Sequence, residues 1–266
     1  MKTTIQRERV LFILFALSIL WAFQASAMVP DSSRVDQLIA QGNYYAEKSF
    51  ENQKALESYQ AALALETNNY EALWRISRSY TDIGEHQPAT TDEEKAAQLK
   101  TYEKALEFAI KAVAVNANGS MGYARRAIAN GRIALFKGIW ESLDLVKQTK
   151  ADCEKAIALD TTNAAAYYVL GRTHLKVTEK PKIIRWPLGL SWANLDESVK
   201  NFEKSIALRP EFIMYRLDCA RAYVELDEYD KARVHLTTIS TLPTMDEDDG
   251  QFRKEAQELL DKIKGK

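Results

Sequence analysis

The stretch that decides the fold is SVKNFEKSIALRPEF (198–212), followed directly by IMYRLDCARAYVELDEY (213–229). Each half spaces its apolar residues three and four apart, which is the period of an amphipathic helix. The first half ends in a short polar turn that contains Pro210, and the second half carries an aromatic residue near its start. The stretch therefore predicts two helices joined by a turn.

The same pattern occurs three more times along the chain. Its first halves are ALESYQAALALETNN (55–69), KALEFAIKAVAVNAN (104–118) and KAIALDTTN (155–163). Each is followed by a helical stretch with an early aromatic residue: YEALWRISRSYTDIG (70–84), SMGYARRAIANGRIALFKG (120–138) and AAAYYVLGRTHLKV (164–177). A supersecondary unit repeated in this way is typical of a solenoid, in which neighbouring units bury a continuous core.

Composition supports a helical protein. The chain has 266 residues, of which 46% are hydrophobic and 27% charged, as in an ordinary soluble protein. Its 10 glycines and 6 prolines are too few for the many tight turns of a sandwich or barrel. The formal net charge of −1 excludes a global basic field for nucleic acid.

The repeated unit resembles the tetratricopeptide repeat, a helix–turn–helix motif with small residues at positions 8, 20 and 27 and large ones at 4, 11 and 24. Ala220, Tyr223 and Ala232 fit positions 8, 11 and 20 of the last unit, and Gly171 and Phe202 fit positions 8 and 24 of the unit before it. The resemblance implies an all-α, right-handed superhelix of about five units with a C-terminal capping helix. We place the units at 34–69, 70–118, 119–163, 164–212 and 213–243, and the capping helix within 244–266.

Two inserts interrupt the repeats, at 85–100 and 178–197. In the first, both Thr90 with Glu93 and Thr91 with Glu94 have the spacing of a capping box, in which each side chain accepts from the other residue's backbone. We expect a helix of about 25 residues that starts near Asp92.

The insert pattern is similar to that of the regulator-of-microtubule-dynamics family. The stretch from Phe202 to Phe212 corresponds to a family segment that follows the Trp- and Pro-containing insert, and Leu242-Pro243 through Leu260 corresponds to the family's closing segment. The resemblance covers roughly residues 100–262 and implies an adaptor without catalytic activity.

Residues 1–27 have the three parts of a secretory signal peptide. Lys2, Arg7 and Arg9 give a positive start, Val10 to Phe23 form an apolar run, and Ala25-Ser26-Ala27 place small residues before Met28. The run is short against the roughly 20 residues that span a bilayer. We expect a periplasmic or secreted protein; the alternative is an inner-membrane anchor through residues 10–29. Export would separate the chain from tubulin, so a partner other than microtubules is expected.

The two cysteines, Cys153 and Cys219, lie far apart within apolar helical patterns. We expect two separate buried thiols, and a disulfide is the alternative in an oxidising compartment.

Motifs for catalysis are missing from the sequence. His86, His174 and His235 are too far apart for a metal-binding spacing, and neither a phosphate-binding glycine loop nor a G-x-S-x-G elbow occurs. We therefore predict no enzyme activity, no catalytic residue, no metal and no cofactor.

The candidate site is the groove that the first helices of a tetratricopeptide array line. Position 9 of the five units reads Asn43, Arg78, Ile128, Arg172 and Arg221, and other groove positions add Trp74, Tyr168, Arg132 and Lys176. We predict that the arginines project into water and bind an acidic peptide or a C-terminal carboxylate, because guanidinium groups bind carboxylates through two parallel hydrogen bonds. The alternative interpretation is a solvated helix face.

The second insert is unusually apolar for a loop. It contains Ile183, Ile184, Trp186, Leu188, Leu190 and Trp192. Either these residues pack over the last repeats as a flap, or Ile184, Trp186, Leu188 and Trp192 contact a partner or a membrane surface. The leading functional hypothesis is a protein-binding scaffold of the cell envelope, and the second is a peripheral membrane or lipid-binding module.

Overall fold

The computed structural model of the protein describes residues 31–138 and 140–266, and regular structure in these residues is entirely helical. The predicted signal peptide and the alternative anchor lie outside the described residues. The helices are α1 (Asp31–Tyr44), α2 (Asn52–Leu65), α3 (Tyr70–Glu85), α4 (Asp92–Val115), α5 (Ser120–Ala134), α6 (Leu143–Leu159), α7 (Ala164–Thr178), α8 (Lys182–Arg185), α9 (Leu195–Leu208), α10 (Ile213–Glu225), α11 (Tyr229–Ile239) and α12 (Asp249–Lys262). A π-helical turn, Tyr45–Ser49, follows α1.

Within the described residues, the helices pack as five consecutive pairs. The pairs are α1 with α2, α3 with α4, α5 with α6, α7 with α9, and α10 with α11, and each pair also contacts the next. Helix α12 packs on α10 and α11 and caps the last pair. The predicted fold class, an all-α array of tetratricopeptide-like units with a C-terminal capping helix, is confirmed.

Short polar residues fix where several helices begin. The side chains of Asn69, Asn163 and Asn194 accept hydrogen bonds from the backbone N–H groups at the starts of α3, α7 and α9. Thr91 and Glu94 form the capping box of α4. That helix has 24 residues and starts at Asp92, as expected. Capping matters because the first N–H groups of a helix have no partner within it.

Glycines allow the helices of a pair to approach closely. A Cβ atom built on Gly42 would lie 2.3 Å from the Tyr59 ring, and one on Gly171 would lie 2.9 Å from the Phe202 ring. The aromatic rings of the second helices therefore occupy the space that a side chain on the first helix would need. Small residues on the first helices thus pack against large residues on the second helices, as the resemblance to the tetratricopeptide repeat implied.

Cys153 and Cys219 are both buried and free, as predicted. Cys153 packs with Ala127 and Leu170 between neighbouring pairs, whereas Cys219 belongs to the large core cluster around α10. None of the described helices is both long enough and apolar enough to cross a membrane.

Candidate partner-binding groove

A cavity of about 460 Å³ lies among the first helices of the later pairs. Its walls come from α3, α4, α7, α10, α12 and α5 with the two residues after it. Asp248, directly before α12, also lines the cavity. The lining residues are Glu85, Gln98, Tyr102, Arg132, Leu135, Phe136, Tyr168, Arg172, Met214, Leu217, Asp218, Arg221, Asp248 and Phe252. Predicted groove residues Arg132, Tyr168, Arg172 and Arg221 are thus brought together in one cavity.

Asp218 is the centre of the polar network in this cavity. The Tyr168 hydroxyl donates to Asp218 Oδ2 over 2.7 Å, and Arg172 Nε lies 3.3 Å from the same oxygen. Arg221 Nη1 donates to Asp218 Oδ1 over 2.7 Å. Asp218 is itself buried, so these donors replace the water that the carboxylate loses.

Two more carboxylates complete the ion pairs. Arg132 of α5 pairs with Glu85 at the end of α3, and Arg221 also pairs with Glu255 of α12. Burial raises the pKa of Glu85, although the charge of Arg132 opposes this shift. Interaction with Tyr168, the largest influence, and the charge of Asp218 raise the pKa of Arg172, so its guanidinium stays charged.

The expectation that the groove arginines project free into water is therefore corrected. Arg78 also has partners, since its Nη1 donates to Glu47 Oε1 over 2.9 Å and its Nε to Asp82 Oδ2 over 3.3 Å. The physical reason is that facing first helices present acidic side chains opposite the basic ones. The guanidinium forks are used within the protein, and the cavity has mixed rather than basic charge.

Three predicted groove residues, Arg78, Trp74 and Lys176, do not line the cavity. Trp74 is buried, and the guanidinium carbon of Arg75 lies 3.9 Å from the centre of its ring. Its face is thus already covered and is not offered for stacking. Lys176 is exposed and pairs with Glu179 over 2.7 Å.

Arg125 differs from the other arginines of these first helices. It lies on α5 seven residues before Arg132, on the same face and roughly 10 Å along the helix axis. Within the described residues it has no hydrogen-bond or ion-pair partner, its Nε is buried, and its guanidinium carbon lies 5.7 Å from the Trp74 ring centre. Burial and the nearby charge of Arg78 lower its pKa to about 10. An unpaired cation in this position would be stabilised by a bound anion.

The segment before α12 reaches back to the beginning of the array. Asn52 donates to Glu247 Oε1 over 2.5 Å, across 195 positions of sequence. His86, just after α3, places Nε2 3.1 Å from Asp248 Oδ1 and Nδ1 3.4 Å from Glu247 Oε1. Burial acts to lower the pKa of His86, but the Asp82 carbonyl and Asp248 outweigh it and raise the pKa. We call residues 245–248 the closing segment, because it joins the two ends of the array beside the cavity.

The apolar insert, residues 178–197, has a buried part and an exposed part. Leu188 and Leu190 are buried and pack with Val177, while Trp192 is partly buried with its ring edge-on to His174 at 5.0 Å. These residues form a flap over α6 and α7. In contrast, Ile183 is 83% exposed, Trp186 78% and Ile184 41%. Partner or membrane contact therefore concerns the exposed residues alone.

Sequence reasoning missed several groove residues. Met214 and Leu217 occupy positions 2 and 5 of the last unit, so the same repeat positions could have identified them. Arg125 and Asp218 occupy position 6 of their units, which is outside the positions considered. The contribution of the closing segment had no sequence signal, because nothing in a repeat indicates how far the array curves.

A second polar group was also missed. Glu203, Cys219 and His235 come from three different helices, and their ligand atoms all lie within 4.8 Å of one another. The three histidines are far apart from each other in sequence, whereas the fold joins one of them, His235, to a cysteine and a glutamate.

Comparison with known proteins gives a family match over most of the chain. The family model "Regulator of microtubule dynamics protein 1-3" matches residues 35–264. Mouse (Mus musculus) regulator of microtubule dynamics protein 1 is 26% identical over 242 residues, which cover 88% of this chain and 77% of that protein. Bovine (Bos taurus) protein 3 is 29% identical over 198 residues, 70% of this chain; the match spans 40% of that longer relative.

Solved structures show the same fold. TTC0263, a thermophilic tetratricopeptide protein of Thermus thermophilus, superposes with a TM-score of 0.60 at 17% identity, over 85% of this chain and 98% of that one. The Pseudomonas aeruginosa pilF protein gives a TM-score of 0.52 at 13% identity, over 89% and 95% of the two chains. At these identities the likeness concerns the fold alone.

Proposed function

This chain belongs to the family of regulator of microtubule dynamics proteins 1-3, and on that premise we propose that it is a non-catalytic adaptor that binds a segment of a partner protein along the groove. By the groove we mean the cavity together with Arg125 and Arg78, which lie on the same faces of α5 and α3 as Arg132 and Glu85. A tetratricopeptide-like array has the extended surface that such binding uses.

The observation that carries the proposal is the unpaired guanidinium of Arg125. Arg125 is half-buried and its Nε is fully buried, and leaving a buried donor without a partner costs about 1–3 kcal/mol. A ligand carboxylate would recover that cost by accepting from the guanidinium fork. The arginines that were expected to bind the partner are already neutralised, so the anion site moves from Arg172 and Arg221 to Arg125.

The charge of the cavity that continues the groove beyond Arg125 limits the ligand. Glu85, Asp218 and Asp248 balance the three arginines of the cavity wall, and Asp246 and Glu247 lie close by in the closing segment. A run of acidic residues would be repelled there, whereas one carboxylate beside neutral residues fits. We therefore propose a segment with a single carboxylate, such as a C-terminus.

A photocrosslinking residue at Met214, which lines the cavity, tests whether partners enter the groove in the native cell. The matched control places the same residue at Val234, which is 62% exposed and does not line the cavity. We expect a discrete crosslinked species from position 214 and none of the same mass from position 234. Equal crosslinking at both positions would argue against the groove.

The Arg125→Gln variant tests the anion site. We expect crosslinking from position 214 to fall by about 10-fold or more, since a charge-assisted hydrogen bond contributes about 1.5–3 kcal/mol. The control is Arg216→Gln, because Arg216 donates to the Pro210 carbonyl and has no place in the cavity. Unchanged crosslinking in a folded Arg125→Gln protein would refute the role of Arg125.

A second candidate function rests on the exposed part of the insert. Ile183 and Trp186 protrude beside Lys180 and Lys182, and aromatic groups flanked by lysines are typical of shallow membrane contact. Flotation with vesicles containing anionic lipid measures it directly. Binding that is lost in Trp186→Ser but kept in Arg125→Gln would favour a membrane module over the adaptor.

We also propose export to the periplasm or cell exterior, from residues 1–27. The mass of the protein isolated from the envelope fraction should correspond to a chain that starts at Met28. An intact chain in the membrane pellet would support the anchor through residues 10–29 instead. Export is also why we propose a partner other than the microtubules in the relatives' names.

A further inference from the structure

The last two helix pairs bring a carboxylate, a thiol and an imidazole to one point. Glu203 comes from α9, Cys219 from α10 and His235 from α11. Cys219 Sγ lies 3.7 Å from His235 Nε2 and 3.9 Å from Glu203 Oε1, and His235 Nε2 lies 3.0 Å from the same oxygen. We propose that these three side chains form a binding site for a transition-metal dication, Zn²⁺ above all.

The distances between the donor atoms suit a tetrahedral ion. Zinc bonds of about 2.0–2.3 Å at tetrahedral angles separate donor atoms by roughly 3.3–3.6 Å. Each of the three observed separations lies within a few tenths of an ångström of that range. Small side-chain rotations would bring an ion within bonding distance of all three atoms, and water would take the fourth position.

The hydrogen bonding of the group is crowded without a cation. Glu203 Oε1 is the acceptor for Cys219, for the Tyr223 hydroxyl at 2.8 Å and for His235. A carboxylate oxygen offers two lone pairs, so it serves these three donors poorly. A cation at the centre would instead use one lone pair of each ligand.

Charge and chemical softness select the metal. A thiolate and a carboxylate neutralise a dication completely, which lowers the cost of burying it. Thiolate and imidazole are ligands for Zn²⁺ and its neighbours, whereas Mg²⁺ and Ca²⁺ require oxygen ligands. Burial raises the pKa of the Cys219 thiol, so metal binding would release its proton.

The surrounding residues provide access and orientation. Cys219 is fully buried, but the side chain of Glu203 is 44% exposed and opens the site to solvent. The Tyr223 ring stacks on His235 with centroids 5.6 Å apart, and its hydroxyl holds Glu203. Tyr223 is therefore a positioning residue for two of the three ligands.

A bound ion would join α9, α10 and α11. Cys219 lies directly beside Asp218 on α10, and Arg221 follows two residues later. The site would therefore hold in place the helix that carries the centre of the cavity's polar network. This consequence does not depend on the adaptor proposal, because metal binding is measured without a partner.

Cobalt titration of the metal-free purified protein tests the site. A thiolate–cobalt bond gives a charge-transfer band in the near ultraviolet, and we expect it to saturate at one equivalent and to disappear when Zn²⁺ is added. Cys219→Ala should abolish the band. The matched control is Cys153→Ala, which removes the other buried cysteine and should leave the band unchanged.

Tyr223→Phe should weaken cobalt binding by about 10-fold while preserving the band, as expected when a residue that orients the ligands is lost. Wild-type protein offers a measurement that requires no variant: Zn²⁺ should slow alkylation of Cys219 and leave that of Cys153 unchanged. A missing band at saturating cobalt, a band that survives Cys219→Ala, or equal protection of both cysteines would each overturn the proposal.

Discussion

Gly171 shows at the residue scale why the array needs glycine where its helices touch. A Cβ atom on it would lie 2.9 Å from the Phe202 ring and 3.0 Å from the Ser198 carbonyl oxygen, and Phe202 is completely buried. The ring cannot move without disturbing the core, and the carbonyl belongs to the α9 backbone. The space is therefore closed on two sides.

We predict that Gly171→Ala lowers the free energy of unfolding by about 1–3 kcal/mol, because it overpacks the contact between α7 and α9. Urea denaturation measures it. Gly131→Ala is the matched control, since a Cβ atom there meets nothing within 4 Å. Because Gly131 lies within α5, in its last turn, that substitution should stabilise by up to about 0.5–1 kcal/mol. Destabilisation of equal size at both glycines would contradict the packing argument.

Because they pair with Asp218, the cavity arginines Arg172 and Arg221 contribute to the stability of the fold. The Asp218 carboxylate is buried and depends on Tyr168, Arg172 and Arg221 for its hydrogen bonds and charge balance. Removing both arginines leaves a buried carboxylate with one neutral donor. The groove network therefore contributes to folding as well as to the shape of the cavity.

We predict that the double variant Arg172→Ala/Arg221→Ala loses about 1–3 kcal/mol of unfolding free energy. Thermal and urea unfolding check this prediction. Lys176→Ala serves as control, because Lys176 is exposed, pairs with Glu179 on the surface and should change stability by less than about 0.5 kcal/mol. If the double variant were as stable as the control, the arginines would not contribute to folding, as first expected.

At the element scale, α4 owes its start to one of two overlapping capping sequences. Thr90 with Glu93 and Thr91 with Glu94 have the same spacing, but it is Thr91 that receives the N–H of Glu94, over 3.1 Å. The Glu94 side chain accepts in return from the N–H groups of Thr90 and Thr91. Local hydrogen bonding thus selects the second sequence.

Thr91→Ala should therefore reduce stability by about 1 kcal/mol, the usual effect of removing an N-cap hydroxyl. Thr90→Ala should cost less than about 0.5 kcal/mol, because the Thr90 hydroxyl donates to the exposed Glu94 side chain and accepts from no N–H of the described helix. Helicity by circular dichroism and urea unfolding compare the two variants. A larger loss in Thr90→Ala would place the helix start one residue earlier.

At the scale of the whole molecule, the closing segment turns an open array into one whose ends meet. Its contacts with Asn52 and His86 are polar and partly exposed, so they are weaker than the packing between pairs. Three titratable groups lie in or beside these contacts, and the pKa values of His86, Asp246 and Glu247 are all raised.

These pKa shifts give the closure a definite pH dependence. A histidine with a raised pKa contributes stability that is present below its ordinary pKa, about 6.5, and lost as pH rises through the raised value. Burial raises the pKa of Glu247 and Asp246, so their ionisation also opposes closure as pH rises. All three groups favour the closed array in mild acid.

We predict that backbone amides of residues 245–248 exchange with solvent about two- to fivefold more slowly at pH 5.5 than at pH 8, after correction for the intrinsic rate; partly exposed ion pairs contribute up to about 1 kcal/mol. Hydrogen-exchange mass spectrometry measures this difference. His86→Gln should reduce it, since Asp246 and Glu247 remain, whereas Asn52→Ala should speed exchange at both pH values. An undiminished pH effect in His86→Gln would exclude the histidine as a cause.

The sequence by itself determined the helical array, because each unit repeats local information. Apolar spacing, the small and large positions and the capping-box spacings at Thr90 and Thr91 act between neighbours along the chain, and they predicted the class of fold, the long α4 and two buried thiols. The repeat positions also predicted part of the groove face, because they identified Tyr168, Arg172 and Arg221 as groove residues.

The tertiary structure alone decided how those side chains are used. The curvature of the array decides which residues lie opposite each other. It therefore decides whether Arg172 contacts water or Asp218, and whether Arg125 has a partner. The same holds for Glu203, Cys219 and His235, and for the contact of Glu247 with Asn52. Curvature accumulates from small displacements at every helix contact, so no single stretch of sequence encodes it.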